Sequence, residues 1–241
     1  MKSRLDRWLV DFGLAETREK AQALIMAGEV LVNGQKAMKA GQTVPADAHV
    51  EVTAKMRYVG RGGLKLEGAL TNFHIDVTGM ACADFGSSTG GFTDCLLQAG
   101  AARVHAIDVG VGQIDWKLRN DPRVVVHEGL NARYAELSDI GETVDLAVCD
   151  VSFISATLIL PAIVRVLKPA SGIIVVLVKP QFEVGKGQVG KGGIVRDAAQ
   201  HQAVCEKLRT AAEELGFKTE IMESPITGAE GNKEFLLYGH R

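Results

Sequence analysis

The sequence lacks paired cysteines. Cys82, Cys95, Cys149 and Cys205 are scattered over 241 residues with no Cys-x-x-Cys, which excludes a disulfide framework and a zinc site. Three of the four stand in apolar surroundings, as buried thiols do. The six histidines, His49, His74, His105, His127, His201 and His240, show no ligand spacing either, so no metal is expected. Long hydrophobic runs are missing too. The longest wholly apolar stretch, Ile173 to Val178, is far short of the ~20 residues that cross a bilayer, and no basic-then-apolar leader opens the chain. A cytoplasmic protein with no membrane partner is expected. Aromatics make up 5% of the residues, and no long aromatic-rich amphipathic helix is present to disrupt a membrane.

What is present is 46% apolar and 23% charged residues, the composition of a globular chain with a large core and room for a small extra domain. The net charge of −2 hides an asymmetry. Up to Lys65 there are eleven Lys and Arg against seven Asp and Glu, a balance of +4, and the remainder carries −6. A basic, substrate-gripping module joined to an ordinary domain has this profile, although scattered charge is more often a solvated face.

The chain is organised around Ala83-Asp84-Phe85-Gly86-Ser87-Ser88-Thr89-Gly90-Gly91-Phe92. A buried strand, Ala81-Cys82-Ala83, runs into three glycines that let backbone approach a ligand, and Leu96-Leu97 fall on the helix that follows. The next strand, Val104-His105-Ala106-Ile107, ends in Asp108, where an acid can bind ribose hydroxyls. The loop is not Gly-x-Gly-x-x-Gly and lacks a Gly-Lys-Ser/Thr ending, so neither a dinucleotide nor a nucleoside triphosphate is favoured. A nucleoside with fewer phosphates fits better, and S-adenosylmethionine is the expected cofactor.

At the N-terminal end, Leu5, Trp8, Leu9 and Phe12 form an i, i+3, i+4, i+7 stripe with Gly13 as its stop. Thr17 reads as the N-cap of a second helix, with Ala21, Leu24 and Ile25 inward and Gly28 at its end. Val30-Leu31-Val32 then meets the turn Asn33-Gly34, and His49-Val50-Glu51-Val52-Thr53 alternates as a surface strand. Through Arg4-Leu5-Asp6-Arg7-Trp8-Leu9, Thr17-Arg18-Glu19-Lys20-Ala21 and Gly28-Glu29-Val30-Leu31-Val32-Asn33-Gly34, this stretch resembles the RNA-binding fold of ribosomal small-subunit protein S-four. The resemblance implies that Arg4, Arg7, Arg18 and Lys20 contact the phosphate backbone, which positions RNA more than it selects sequence.

The expected domains are an α+β RNA-binding domain over 1–54, a connector over 55–62, and an α/β domain over 63–241. In the latter, strands alternate with helices: Val124 to Val126, Leu146 to Cys149, and Ile173 to Val178, which argues for a parallel, doubly covered sheet. Thr219 to Met222 and Phe235 to Tyr238 have no helix between them, as in a closing antiparallel hairpin. Asp84, Asp108, Asp150 and Lys179 fall at carboxyl ends of strands, where such sheets bind ligands. An antiparallel last strand begins on that same edge, at Glu234. Lys65 lies beside a helical stripe of Leu66, Ala69, Leu70 and Phe73, and spacing alone reads it as an exposed, solvated lysine.

Methyl transfer to a ribose hydroxyl needs an in-line nucleophile and a base that removes its proton. Lysine is normally protonated at neutral pH, but burial and a second ammonium nearby favour the neutral form. Lys179 beside Lys65, with Asp150 and Glu234 around them, has those ingredients, so Lys179 is taken as the base. Arg61-Gly62-Gly63-Leu64-Lys65-Leu66, Asp84 through Asp94, Asn131-Ala132-Arg133, Asp150-Val151-Ser152-Phe153-Ile154-Ser155, Val178-Lys179-Pro180-Gln181-Phe182-Glu183, and Ser224-Pro225-Ile226 through Gly231-Asn232-Lys233-Glu234-Phe235 together resemble the TlyA family, which comprises haemolysins and ribosomal RNA cytidine 2′-O-methyltransferases. The resemblance implies a Rossmann-like S-adenosylmethionine-dependent methyltransferase sheet and a tetrad of Lys65, Asp150, Lys179 and Glu234. It also implies that Asp84, Phe85, Gly86, Ser88, Thr89, Gly90, Gly91 and Asp108 hold the cofactor, with Asn131 near the adenosine, and that ribosomal RNA or a ribosomal subunit is the partner. The chain is similar to the shorter members, which implies large-subunit RNA.

Arg61 and Arg133 are further candidates for RNA contact, as are Lys186 and Lys191 in the glycine-rich segment Phe182 to Gly193, read as a loop that closes over RNA. Three rival readings remain open: an N-methyltransferase, from which Asp150-Val151-Ser152-Phe153 departs by lacking two prolines; an RNA-binding assembly factor without turnover; and a pore-forming haemolysin.

Overall fold

The structure, a computed structural model, describes residues 2–26, 28–37, 39–45, 47–52, 57–185, 189–190, 192–228 and 231–241. It divides into two compact units, Met1–Arg57 and Tyr58–Arg241.

The first unit runs β1 (Lys2–Arg4), α1 (Leu5–Asp11), α2 (Arg18–Met26), β2 (Val30–Val32), β3 (Gln35–Lys36), β4 (Thr43–Pro45) and β5 (Val50–Val52). Thr17 Oγ1 accepts from the Lys20 amide at 3.2 Å, satisfying one of the free donors that open α2. Asn33 (φ 51°) and Gly34 (φ 79°) both take left-handed backbone, which turns β2 tightly into β3. On its other edge β2 pairs antiparallel with β5. The pairing of β1 with β4 is not visible in the sequence, because Lys-Ser-Arg has no apolar alternation. Leu5, Leu9, Ala21, Ile25 and Val30 are buried together. Phe12, expected on the inward stripe, is 59% exposed: α1 ends at Asp11, and the Phe12 ring stacks on Trp8 with centroids 4.0 Å apart.

The second unit contains α3 (Gly62–Asn72), β6 (Ala81–Phe85), α4 (Gly91–Gln98), β7 (Arg103–Asp108), α5 (Trp116–Arg119), β8 (Val124–Glu128), α6 (Leu137–Ile140), β9 (Leu146–Cys149), α7 (Leu160–Val166), β10 (Ile173–Val178), α8 (Pro180–Glu183), α9 (Ala198–Glu214), β11 (Lys218–Glu223) and β12 (Phe235–His240). Its strands form one sheet in the order β11-β12-β10-β9-β6-β7-β8. The pairings among β6 to β10 are parallel, and β12 runs antiparallel between β10 and β11. Alternate residues of β10 enter two cores. Ile174, Val176 and Val178 join Ile163 and Leu208; Val175 and Leu177 join Leu66 and Leu96. A strand that is apolar on both faces needs helices on both faces, and the sequence supplies them.

Tyr58 and Val59, assigned from sequence to a connector, are packed in this unit. Tyr58 is 4% exposed, and a Cβ on Gly63 would stand 2.3 Å from its ring. The Val59 amide donates to Asp94 Oδ2 at 2.9 Å. Cys82, Cys95 and Cys149 are buried, and burial pushes the Cys82 and Cys149 thiols up to about 12, which keeps them inert.

Candidate active site

The carboxyl ends of β6, β7, β9 and β10 and the start of β12 bring the polar groups to one edge. At the end of β6 the chain turns through Gly86 (φ +83°), Ser88 (φ +48°) and Gly90 (φ +97°). A Cβ on Gly86 would lie 2.8 Å from the Asp150 carbonyl oxygen, and one on Gly90 would lie 2.2 Å from Leu118 Cδ1. Both positions therefore require glycine for conformation and for room. Gly91 packs as closely on the other side, where an added Cβ would meet the Gly63 amide nitrogen at 3.2 Å and the Gly60 carbonyl oxygen at 3.3 Å.

Three cavities open along this edge, two of them against the turn. One of about 260 Å³ is lined by Gly60, Gly62, Asp84, Gly86, Thr89 and Lys179 among others. A second, of about 470 Å³, is bounded by Ser88, Asp108, Asn131, Asp150 and Phe153. The third, of about 410 Å³, has Lys65, Lys179, Phe153, Phe182, Asn232 and Glu234 in its wall. Ser152 lines all three. Lys179 faces the first and third, and Asp150 faces the first and second.

Asp84 is wholly buried and accepts from Thr93 Oγ1 at 2.7 Å, while its Oδ1 has no hydrogen-bond partner among the described residues. Burial pushes this carboxyl up to about 7, against the pull of the Thr93 bonds and with a contribution from Asp150. Asp108 accepts from the Ser88 amide at 2.8 Å and the Gly110 amide at 2.7 Å, which fixes it beside the turn. Asn131 caps a short 3-10 turn by accepting from the Arg133 amide at 3.1 Å.

The proposed tetrad residues form two ion pairs. Lys179 Nζ lies 2.5 Å from Asp150 Oδ1 and donates to Ser152 Oγ at 2.8 Å. Lys65 Nζ lies 2.5 Å from Glu234 Oε2, with both side chains at most 10% exposed. Lys65 is thus not the solvated lysine that its spacing suggests: it points inward on α3 because the start of β12 supplies a buried carboxylate. Gly228 makes room for that carboxylate, since a Cβ there would sit 2.6 Å from Glu234 Oε1. Phe153 is 91% exposed with left-handed backbone (φ +66°), and its ring meets that of Phe182 at 5.1 Å. Left-handed backbone at a non-glycine residue costs ~1–3 kcal/mol, and here it holds an aromatic ring in solvent at the rim of two cavities.

The other expected site residues are placed as follows. Phe85 turns its ring into the core at 0% exposure, so only its backbone belongs to the turn. Arg61 is exposed and donates to the Thr227 carbonyl at 3.1 Å, and Arg133 lies over the Tyr134 ring at 5.6 Å. In the first unit Arg4 and Arg18 are bonded to Asp6, Lys20 pairs with Glu16, and Arg7 is exposed. Lys186 and Lys191, with part of the expected RNA-closing loop, lie outside the described residues. Sequence reasoning gave no role to Thr93, Ser152, Glu183 or Asn232. All four stand in the segments that carry the family resemblance, which was the available signal.

The order of a small first unit and a seven-stranded second unit agrees with the comparisons. Residues 58–241 match the family of FtsJ-like methyltransferases, and residues 3–50 match the S4 domain. The 16S/23S rRNA (cytidine-2'-O)-methyltransferase TlyA of Mycobacterium tuberculosis is 47% identical, over 98% of this chain and 89% of the relative. The chain belongs to the TlyA family. The 23S rRNA (cytidine-2'-O)-methyltransferase TlyA of Campylobacter jejuni is 34% identical, over 92% of this chain and 93% of its own length. A solved structure described as a candidate hemolysin from Streptococcus thermophilus superposes with a TM-score of 0.77 at 45% identity, covering 100% of this chain and 88% of that one. As a TlyA member the chain is an S4 domain joined to a methyltransferase. Among the described residues no helix is long and apolar enough to cross a membrane, and no group of three or more His, Cys, Asp or Glu could hold a metal ion.

Proposed function

We propose that this chain transfers a methyl group from S-adenosylmethionine to the 2′-hydroxyl of a cytidine in ribosomal RNA, with large-subunit RNA as its first substrate and the cytoplasm as its place of action. The observation that carries the reading is the pair of lysine–carboxylate contacts, Lys179–Asp150 and Lys65–Glu234, facing cavities that meet at Ser152. The names of the two methyltransferase relatives both include 23S RNA, which favours the large subunit.

The turn suits the cofactor. A buried carboxylate oxygen without a partner costs about 1–3 kcal/mol, and Asp84 Oδ1 borders a cavity where an ammonium would satisfy it. The amino-acid end of the cofactor would lie there against Gly86 and Ser88, Asp108 would take the ribose hydroxyls, and Asn131 would border the adenosine. When bound, the cofactor supplies an electrophilic methyl group on sulfur. Acting as base in its neutral amine form, Lys179 Nζ would accept the proton of the attacking 2′-hydroxyl, and Asp150, 2.5 Å away, would stabilise the ammonium so formed. Ser152 Oγ, bonded to the same nitrogen, limits its rotation. Lys65, held by Glu234, orients the ribose from the third cavity. The exposed Phe153 ring offers a face on which an unstacked base can lie. In the S4 unit, Arg4 and Arg18 keep about half of their side chains exposed while Asp6 fixes their direction, which favours phosphate positioning.

The test is transfer of labelled methyl groups to separated large and small ribosomal subunits, followed by nucleoside mapping, with Lys179→Ala alongside. Label in 2′-O-methylcytidine that disappears in the variant is the expected result. Label on a base nitrogen would overturn the tetrad, and binding without transfer would favour an assembly factor.

A further inference from the structure

Two segments leave the reactive edge side by side: 150–156 after β9 and 179–184 after β10. Their first rung is the contact of Lys179 with Asp150 and Ser152. Their second is the ring contact of Phe153 with Phe182. A third lies at the far end, where Glu183 accepts from Ser155 Oγ at 2.6 Å and from the Ala156 amide at 2.7 Å. Lys207 of α9 donates to the same carboxylate at 2.8 Å and to the Glu183 carbonyl at 3.3 Å. The Glu183 side chain is 2% exposed, and α8 is only one turn long. A buried carboxylate needs such compensation, but a core could have used an apolar side chain at this position at lower cost. What the carboxylate adds is direction: it bonds one backbone amide and one hydroxyl of the opposite segment.

We propose that Glu183 is a positioning residue for methyl transfer. Its carboxylate, backed by Lys207, locks the two segments in register so that Lys179 stays on Asp150 and Phe153 stays over the third cavity. Glu183 touches neither the substrate nor the cofactor cavities, and the proposal rests on the ribose-methylation reading above.

Glu183→Gln keeps the shape of the side chain but sets an amide against Lys207 and Ser155. At saturating RNA and cofactor its single-turnover methyl-transfer rate should fall about 10²-fold, the cost of a roughly 1 Å misplacement of reacting groups, with cofactor Kd unchanged and RNA KM raised by a much smaller factor through the loosened Phe153 ring. In the free enzyme, amide hydrogen exchange should quicken over 151–156 and 180–184 and nowhere else. Ser155→Ala removes one of the two bonds that the opposite segment gives Glu183, together with the Ser155 Oγ contacts to Thr157 and Lys207, and should reproduce both effects more weakly, which keeps the test informative if Glu183→Gln does not fold. Faster exchange with an unchanged rate would make the latch merely structural and overturn the proposal, as would a loss confined to Tm. A wild-type enzyme that methylates no ribosomal RNA would overturn the ribose-methylation reading and the latch together. Normal wild-type transfer with an unaffected variant rate would overturn the latch alone.

Discussion

Asp6 in the S4 unit and Asp84 in the methyltransferase unit are both wholly buried. Asp6 accepts from Arg4 through two nitrogens at 3.0 and 2.9 Å, from Arg18 at 2.9 Å, from Gln22 at 3.0 Å and from the Arg7 amide at 3.0 Å. The hydrogen bonds from Arg4, helped by those from Gln22 and Arg18, hold its carboxyl far below the usual carboxylate range against the opposing cost of burial. Asp84 has Thr93 as its partner, an oxygen left without one, and a carboxyl pushed up to about 7 by burial. The same residue type is saturated with donors in one unit and left with an open acceptor in the other. Burial therefore does not set the two carboxylates apart. The number of donors does.

The largest expected effect tests whether the methyltransferase unit uses the groups that it leaves available. Lys179→Ala should lower methyl transfer about 10²–10⁴-fold, the usual contribution of a positioned base, with cofactor binding intact by calorimetry. An unchanged rate would leave the Lys179–Asp150 pair as structural as Arg4–Asp6. Next, Asp6→Asn keeps the shape of the side chain but removes the charge from two guanidinium partners. It should lower stability by about 2 kcal/mol, the worth of a hydrogen bond to a charged group, measured by denaturant unfolding at neutral pH. The asparagine variant at Asp84 should behave in the opposite way. It should weaken cofactor binding about tenfold, as expected when one charge-assisted contact is lost, while stability is equal or higher. The sign follows from linkage. The folded value of about 7 stands above the ordinary 3.8, so the contribution of Asp84 to stability is complete below about pH 4 and is lost as pH rises through 7. The stability gap in favour of Asp84→Asn should therefore widen from pH 5 to pH 8 in cofactor-free protein. Loss of stability in both asparagine variants would erase the contrast.

The framework of the site was legible because strand alternation dictates it. A strand with a known end and direction places its terminal side chain, and Asp84, Asp108, Asp150, Lys179 and Glu234 follow from that alone. Pairings were less legible, because a helical stripe gives a face and not a partner: Glu234 lies 169 positions beyond Lys65, and Lys65 looked solvated until β12 was in place. Glu183 and Asn232 escaped for the same reason. Asn232 accepts from the Val195 amide at 3.0 Å and donates to the Gly193 carbonyl at 2.9 Å, bonds that no local pattern announces. Phe12 shows the converse error, in which the spacing was right but the helix stopped one residue too soon. The extra strand β1 needed its partner β4 to exist at all.

A third cluster, built around the buried His105, refines the comparison with the smallest effect. His105 Nδ1 lies 3.1 Å from His127 Nε2, and His105 Nε2 lies 3.1 Å from Glu142 Oε1, with Arg103 and Asp139 acting on the pair. None of these groups lines the three cavities. Burial is the main reason that both rings are held below the usual histidine value. A depressed folded value means that the unfolded chain binds protons first as pH falls. The contribution is therefore present above about pH 6.5, the ordinary histidine value, and is lost as pH falls through the folded value. Thermal unfolding between pH 7.5 and pH 5 should show a small loss that is absent from a His105→Asn, His127→Asn double variant, with cofactor affinity the same in both proteins at pH 7.5. That outcome would place the histidines with Asp6, as buried groups partnered by the fold, and leave Asp84 as the buried group whose protonation the cofactor reads. A change in cofactor affinity in the double variant would instead mean that partnered groups also reach the site, and donor count would no longer divide the two kinds.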